Sequence, residues 1–211
     1  MITPMNTELL VEAGPRKADW PSAQPAWPPR ESGAIAVLVT AFATDPAARW
    51  MYPAAQQYLT HFPDFVRAFA GRALEQGSAD AVGTFNCAAL WLPPGVPPDE
   101  AAVVDVLQRS VNQGRLPEVL SVLEQLGAHH PSEPHWYLPL IGVDPTKQGR
   151  GFGSALLRQG LARCDRDRVP AYLEATSSRS AALYERFGFE AVAQIKTRTS
   201  PLIIPMIRDV P

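Results

Sequence analysis

Cysteine is scarce in this chain: Cys87 and Cys164 stand far apart and form no C-x-x-C pair. That excludes a disulfide scaffold and a cysteine-based zinc module, and it fits two buried free thiols. Histidine is scarce too. Its one cluster, His129, His130 and His135 in the loop HHPSEPH, matches no metal-ligand spacing, so no metal is expected. No charge sign dominates: the formal net charge is −2, so no broad basic face for nucleic acid is expected. No apolar run approaches the about 20 residues that span a membrane. The first residues, MITPMNTELLVEAGPRK, lack the charged start and apolar stretch of a secretory leader. A cytoplasmic protein without a membrane partner is the expectation. Neither the Walker pattern nor the G-x-G-x-x-G dinucleotide fingerprint occurs.

Proline, by contrast, is abundant, with 22 residues in the chain and dense clusters in 15–29 and 93–98. Such density forbids regular elements and points to extended surface segments. Residues 1–31 are therefore read as an arm, with a possible short strand over 7–12 and two tryptophans, Trp20 and Trp27, able to reach a partner or cover a pocket. Residues 32–211 are read as one domain, with hydrophobic residues at 46% of the chain, enough for a core. Monomer and homodimer both stay open.

Behind Ser32, read as an N-cap, Ile35, Leu38, Val39 and Phe42 recur at helical spacing. Residues 53–75 are helical, and Pro63 predicts a break into two helices. Strands are expected at 79–84 and 87–92, then helices capped at Asp99 and closed at Gly127. Trp136–Val143 reads as a strand in which Pro139 lacks a ladder donor, so one side is unpaired or bulged there. Ala171–Ala175 is a further strand, Ser178–Phe187 a short helix, and Phe189–Lys196 and Leu202–Ile207 two closing strands. Strands alternate with helices and the end is strand-rich, which predicts a mixed sheet with helices on both faces.

The informative stretch is LPLIGVDPTKQGRGFGSA, residues 138–155. An apolar strand stops at Asp144-Pro145, a basic glycine-rich loop follows, and a helix begins. The first N–H groups of that helix lack partners, and its macrodipole favours an anion such as a phosphate. Gly149, Gly151 and Gly153 let the backbone approach without a Cβ. Lys147 and Arg150 add positive charge.

The segment Gln148-Gly149-Arg150-Gly151-Phe152-Gly153 resembles the pyrophosphate loop of the GNAT acyltransferases. Leu183-Tyr184-Glu185-Arg186-Phe187-Gly188-Phe189 resembles a later motif of the same family. From about Phe42 to Ile195 the chain is similar to these enzymes, nearest to the puromycin N-acetyltransferase type. The stretches carrying that likeness include 41–50, 142–157 and 169–175.

The resemblance implies a GNAT-like α/β (α+β) fold: a mostly antiparallel mixed sheet whose central strands, here 136–143 and 171–175, splay apart around the cofactor's pantetheine arm. It implies acetyl-coenzyme A as cosubstrate, no metal, and a small-molecule primary amine as acceptor, acetylated by direct attack in a ternary complex. Ile141, Gly142 and Val143 would hold the pantetheine and thioester, the amides of Gln148 to Ser154 (Gly149, Arg150, Gly151, Phe152 and Gly153 between them) the pyrophosphate, and Ser180 the cofactor. Tyr184 would be the proton donor to the leaving thiolate and Glu174 the base or amine anchor.

Asp45, Trp50, Tyr52, Phe65 and Trp91 are candidates for the acceptor wall. Two departures bear on substrate: Ser180 stands where relatives often carry asparagine, and Asp45 where the puromycin enzymes carry an aromatic. An alternative function is a catalytically silent acyl-coenzyme A-binding sensor, which needs the loop but no acid or base.

Overall fold

The computed structural model describes residues 24–25, 31–83 and 86–210. The strand expected over 7–12, and Trp20 and Trp27, lie outside them. In chain order the elements are β1 (Gln24–Pro25), α1 (Glu31–Ala41), α2 (Pro46–Met51), α3 (Ala55–Ala70), α4 (Arg72–Glu75), β2 (Ala79–Val82), β3 (Cys87–Leu92), α5 (Glu100–Ser110) and α6 (Leu116–Ala128). There follow β4 (Trp136–Val143), α7 (Phe152–Asp167), β5 (Ala171–Ala175), α8 (Ser178–Glu185), β6 (Glu190–Ala191) and β7 (Ile204–Arg208). The strands form one sheet in the order β1-β2-β3-β4-β5-β7-β6. Only β4 and β5 run parallel; the other neighbours are antiparallel. The expected mixed α/β fold is what the chain adopts.

Period-two alternation sends β3 in both directions. Ala88, Leu90 and Leu92 join a core with α1, α3 and α5, while Cys87, Ala89 and Trp91 join a core with α7 and α8. Both faces are covered, so β3 is fully buried. On β5 the same rule puts Tyr172 with the first core and Ala171, Leu173 and Ala175 with the second.

β4 breaks the rule, with consequences for the site. Tyr137 faces the first core, yet so does Leu140, three residues on. Leu90 pairs with Leu140 but Leu92 with Tyr137, so β4 carries one extra residue between them. This is a β-bulge, and Pro139 lies in it, as its missing N–H predicts.

Two expectations need correction. Pro63 does not split residues 53–75: α3 runs unbroken through it. Its helix carries Tyr58, Phe62, Phe65 and Phe69 as a ladder of rings, with centroids 4.7, 5.8 and 5.2 Å apart. Burying such side chains stabilises by about 1.5–3 kcal/mol each, which outweighs the about 3 kcal/mol cost of one internal proline. The first closing strand is also shorter than expected. It holds only Glu190–Ala191, with one further bridge from Ile195 to Ile203. No helix among the described residues is long and apolar enough to cross a membrane.

Candidate active site

The central strands part where the bulge lies. β4 and β5 pair only over Trp136–Leu138 and Ala171–Leu173. Beyond, Leu140–Val143 bond to β3 and Glu174–Ala175 to β7. The slot between them opens into a cavity of about 820 Å³.

The glycine loop forms one mouth of this cavity. Asp144 accepts from the Thr146 amide at 2.7 Å and stops the strand. A 3-10 turn over Pro145–Lys147 follows. Gly149 and Gly151 have φ of +75° and +81°, a region that L side chains rarely adopt. A Cβ at Gly149 would meet nothing within 4 Å, so the loop faces open space. The Ala155 amide reaches Gly151 O at 3.0 Å as the first bond of α7. The amides of Phe152, Gly153 and Ser154 are therefore the helix's free N-terminal donors. Lys147, Arg179 and Arg186 line the same cavity. This donor set suits a phosphate-bearing ligand. Gln148, Gly149, Gly151, Phe152, Gly153 and Ser154 all line it; Arg150 is not among the lining residues. Ile141 and Val143 line the slot, and so does Gly142, where a Cβ would stand 2.7 Å from that of Ala41.

Tyr184 and Glu174 reach the cavity from opposite faces of the sheet. Tyr184 belongs to the core under α8, with its ring centroid 6.0 Å from that of Phe189. Burial pushes its phenol well up, and the carboxylates of Asp45 and Glu174 push the same way. It stays protonated through neutral pH, as a hydrogen-bond donor and a weak acid. Glu174 projects from β5 toward α6, on the face of Tyr137 and Tyr172. Its side chain is 8% exposed. Tyr137 donates to Oε2 at 2.8 Å, and His130 Nε2 stands 3.3 Å from Oε1, at ion-pair distance but without hydrogen-bond alignment.

The acceptor-wall candidates divide. Asp45, Trp50 and Phe65 line the cavity, with Phe42, Phe62 and Phe69. The Asp45 carboxylate is already engaged: Oδ1 accepts the Ala47 and Ala48 amides at 2.9 and 3.0 Å, capping α2, and Oδ2 accepts the Thr176 hydroxyl at 2.5 Å. Burial raises its pKa, against the pull of those donors. Tyr52 is not on the wall. Its hydroxyl bonds Ser110 Oγ at 2.9 Å inside the core. Trp91 is not there either, because alternation on β3 turns it toward α7. Ser180 lines the cavity, but its hydroxyl donates to Ser177 O at 2.8 Å within a capping box. His130 and Tyr137, which hold Glu174, were not singled out for it by sequence. Only the folded chain brings the 129–135 loop under β5. Among the described residues, no three His, Cys, Asp or Glu side chains group as a metal site.

Residues 117–189 match the acetyltransferase (GNAT) family model. An uncharacterized N-acetyltransferase of Schizosaccharomyces pombe is 26% identical over 170 residues, covering 74% of this chain and 69% of that one. The crystal structure of "histone acetyltransferase HPA2 and related acetyltransferase" from Corynebacterium glutamicum superposes with a TM-score of 0.66 at 28% identity, over 90% of this chain and 97% of that one. A Drosophila melanogaster polyamine N-acetyltransferase, which forms N-acetylagmatine, shares the fold at a TM-score of 0.63 and 13% identity, over 89% and 99% of the two chains. The glycine loop at a parted strand pair, the match over 117–189 and these likenesses together support the GNAT acetyltransferase family and an acyltransferase activity for this chain.

Proposed function

We propose that this protein is an acetyl-coenzyme A-dependent N-acetyltransferase that acts on a primary amine of a small molecule by direct attack, with both substrates bound. One observation carries the reading. A single cavity runs from the glycine loop, through the slot between β4 and β5, to Tyr184 on one side and Glu174 on the other. Acetyl-coenzyme A supplies an acetyl thioester. The free amides at the start of α7, with Lys147, Arg179 and Arg186, hold its phosphates. The backbone of Ile141 and Val143 borders the slot for its arm.

An amine attacks only as its neutral form. Glu174 takes the ammonium proton, directly or through water, a role worth about 10²–10⁴ in rate. Tyr184 donates a hydrogen bond to the leaving sulfur. Phe42, Trp50, Phe62, Phe65 and Phe69 suit an amine on an apolar or aromatic body. Two likenesses favour such an acceptor: that to the puromycin N-acetyltransferase type, carried by residues 41–50 and 142–157, and the fold shared with the polyamine enzyme.

The test is thiol release from acetyl-coenzyme A over a panel of arylalkylamines and polyamines. Release that needs both substrates, and falls about a hundredfold in Glu174→Gln and less in Tyr184→Phe, is expected. Binding of acetyl-coenzyme A without amine-dependent release would leave a silent sensor instead.

A further inference from the structure

A second cavity, of about 620 Å³, lies behind Glu174 between α5, α6 and the segment 93–98. Glu174, Phe69, Leu123 and Leu126 line both cavities, so Glu174 stands in the partition between them. His130, His135 and Tyr137 line the second one alone.

The proton count of the reaction gives this partition a task. Turning an ammonium into an amide removes two protons from nitrogen. The leaving sulfur takes one. The other must reach solvent from Glu174, whose side chain is more than nine-tenths buried.

The hydrogen bonds behind Glu174 run one way. His135 Nδ1 lies 2.8 Å from Glu133 O. A carbonyl only accepts, so Nδ1 carries the hydrogen. Burial holds His135 toward its neutral form. Its Nε2 is therefore an acceptor, and His130 Nδ1, 3.3 Å away, donates to it. In neutral His130 the hydrogen is then spent, and Nε2 turns a bare lone pair toward Glu174 Oε1. Oε1 is buried, and its 3.3 Å approach to His130 Nε2 lacks hydrogen-bond alignment. The line lacks one proton, and it lacks it at the inner end. Tyr137 and Tyr172 flank the His130 ring, with centroids 4.6 and 4.4 Å away, and hold Nε2 toward the carboxylate.

We propose that His130, oriented by His135, receives from Glu174 the proton shed by the amine and vents it into the second cavity. This rests on the acetyltransferase reading above. The proton moves from Glu174 Oε1 to His130 Nε2. The imidazolium then has a partner on each side, the Glu174 carboxylate and His135 Nε2. A proton then leaves this cation for water in the second cavity, where the His130 side chain is 27% exposed. That step restores neutral His130 and ionised Glu174. The groups facing His130 are Glu174 and Tyr172 on β5, Tyr137 on β4 and His135 on the loop, with Glu100 of α5 and Glu124 of α6 on the same cavity. His130 and His135 act through Glu174 and are positioning residues.

Two measurements test this. Long-range ¹H–¹⁵N NMR of the free protein at about pH 8 reads the tautomers; both imidazoles are expected as Nδ1–H, and an Nε2–H His130 overturns the proposal. In kinetics, His130→Gln is expected to lower kcat roughly tenfold near neutral pH, less than the about 10²–10⁴ of a general base itself, because Glu174 is kept. The KM for acetyl-coenzyme A is expected to stay unchanged, and the deficit to close toward alkaline pH and with added imidazole. His135→Gln shows a smaller deficit of the same shape. A loss equal at all pH values and indifferent to imidazole means a structural role and overturns the proposal. Wild-type protein that releases no thiol with any amine overturns the acetyltransferase reading, and the outlet with it.

Discussion

Tyr137 donates its hydroxyl proton to Glu174 Oε2 at 2.8 Å, from a paired position of β4 to the first residue of β5 beyond the β4–β5 pairing. Both groups are buried. Burial and the neighbouring carboxylate hold the Tyr137 phenol protonated. Tyr137→Phe removes the hydrogen bond to Oε2 that helps fix the carboxylate. A buried acceptor left without its donor costs about 1–3 kcal/mol. For a domain of this size that lowers Tm by about 2–4 °C per kcal/mol. Thermal denaturation checks it; an unchanged Tm would mean that water replaces the hydroxyl.

Gly160 is where α7 meets β3. A Cβ there would lie 2.2 Å from the Trp91 ring, and the ring is walled in on its own strand. Gly160→Ala is expected to lower stability by about 1–3 kcal/mol through overpacking, despite the better helix propensity of alanine. Urea denaturation reads the loss. Equal or greater stability would contradict the packing described.

The thiols of Cys87 and Cys164 are pushed up by burial, to about 11 and about 12. Two consequences follow. In folded protein at pH 8 both resist a thiol reagent, and both react after denaturation. Unfolded, they ionise near 8.5, so the unfolded state sheds protons first as pH rises. Their contribution to stability is whole below that value and declines as pH climbs toward 11–12. In Cys87→Ser/Cys164→Ser the alkaline fall of Tm between about pH 8.5 and 11 should be shallower.

Glu118 of α6 ties down the 196–201 loop. It accepts from the Thr197 hydroxyl at 2.6 Å and from the Thr199 amide and hydroxyl at 2.6 and 2.5 Å, which hold its carboxyl down at about 2. Trp50, on the acceptor wall, donates to Thr199 Oγ1 at 3.0 Å. The low carboxyl pKa means these bonds persist above about pH 4.3 and fail as pH falls toward 2. Glu118→Ala is expected to raise the amine KM severalfold and leave the KM for acetyl-coenzyme A unchanged. A change confined to acetyl-coenzyme A would contradict the placement of this loop beside the acceptor.

Much of the framework around the candidate site was legible in the chain. The β4 and β5 bounds matched expectation to the residue, because proline, an Asp-Pro stop and apolar runs mark them. Pro139 pointed to an unpaired side or a bulge, and a bulge is what forms. The glycine loop declared itself by spacing. What stayed hidden depends on tertiary facing. Trp91 is one residue out of phase for the acceptor side, and Tyr52 spends its hydroxyl inside the core. The histidines behind Glu174 lie about forty residues before it, on a loop whose path no local pattern sets. Pro63 misled because ring stacking along α3 outweighs one lost backbone bond.

The most direct measurement is thermal stabilisation by acetyl-coenzyme A, coenzyme A, NAD and ATP, side by side. A ligand that binds only the folded state stabilises it by about 2.7 kcal/mol at a hundredfold excess over Kd. The expected result is a shift with the two coenzyme A species alone, kept in Glu174→Gln and lost when Gly149 and Gly151 are replaced by alanine. No shift with either species, or a shift with NAD alone, would contradict the assignment of the cleft between β4 and β5.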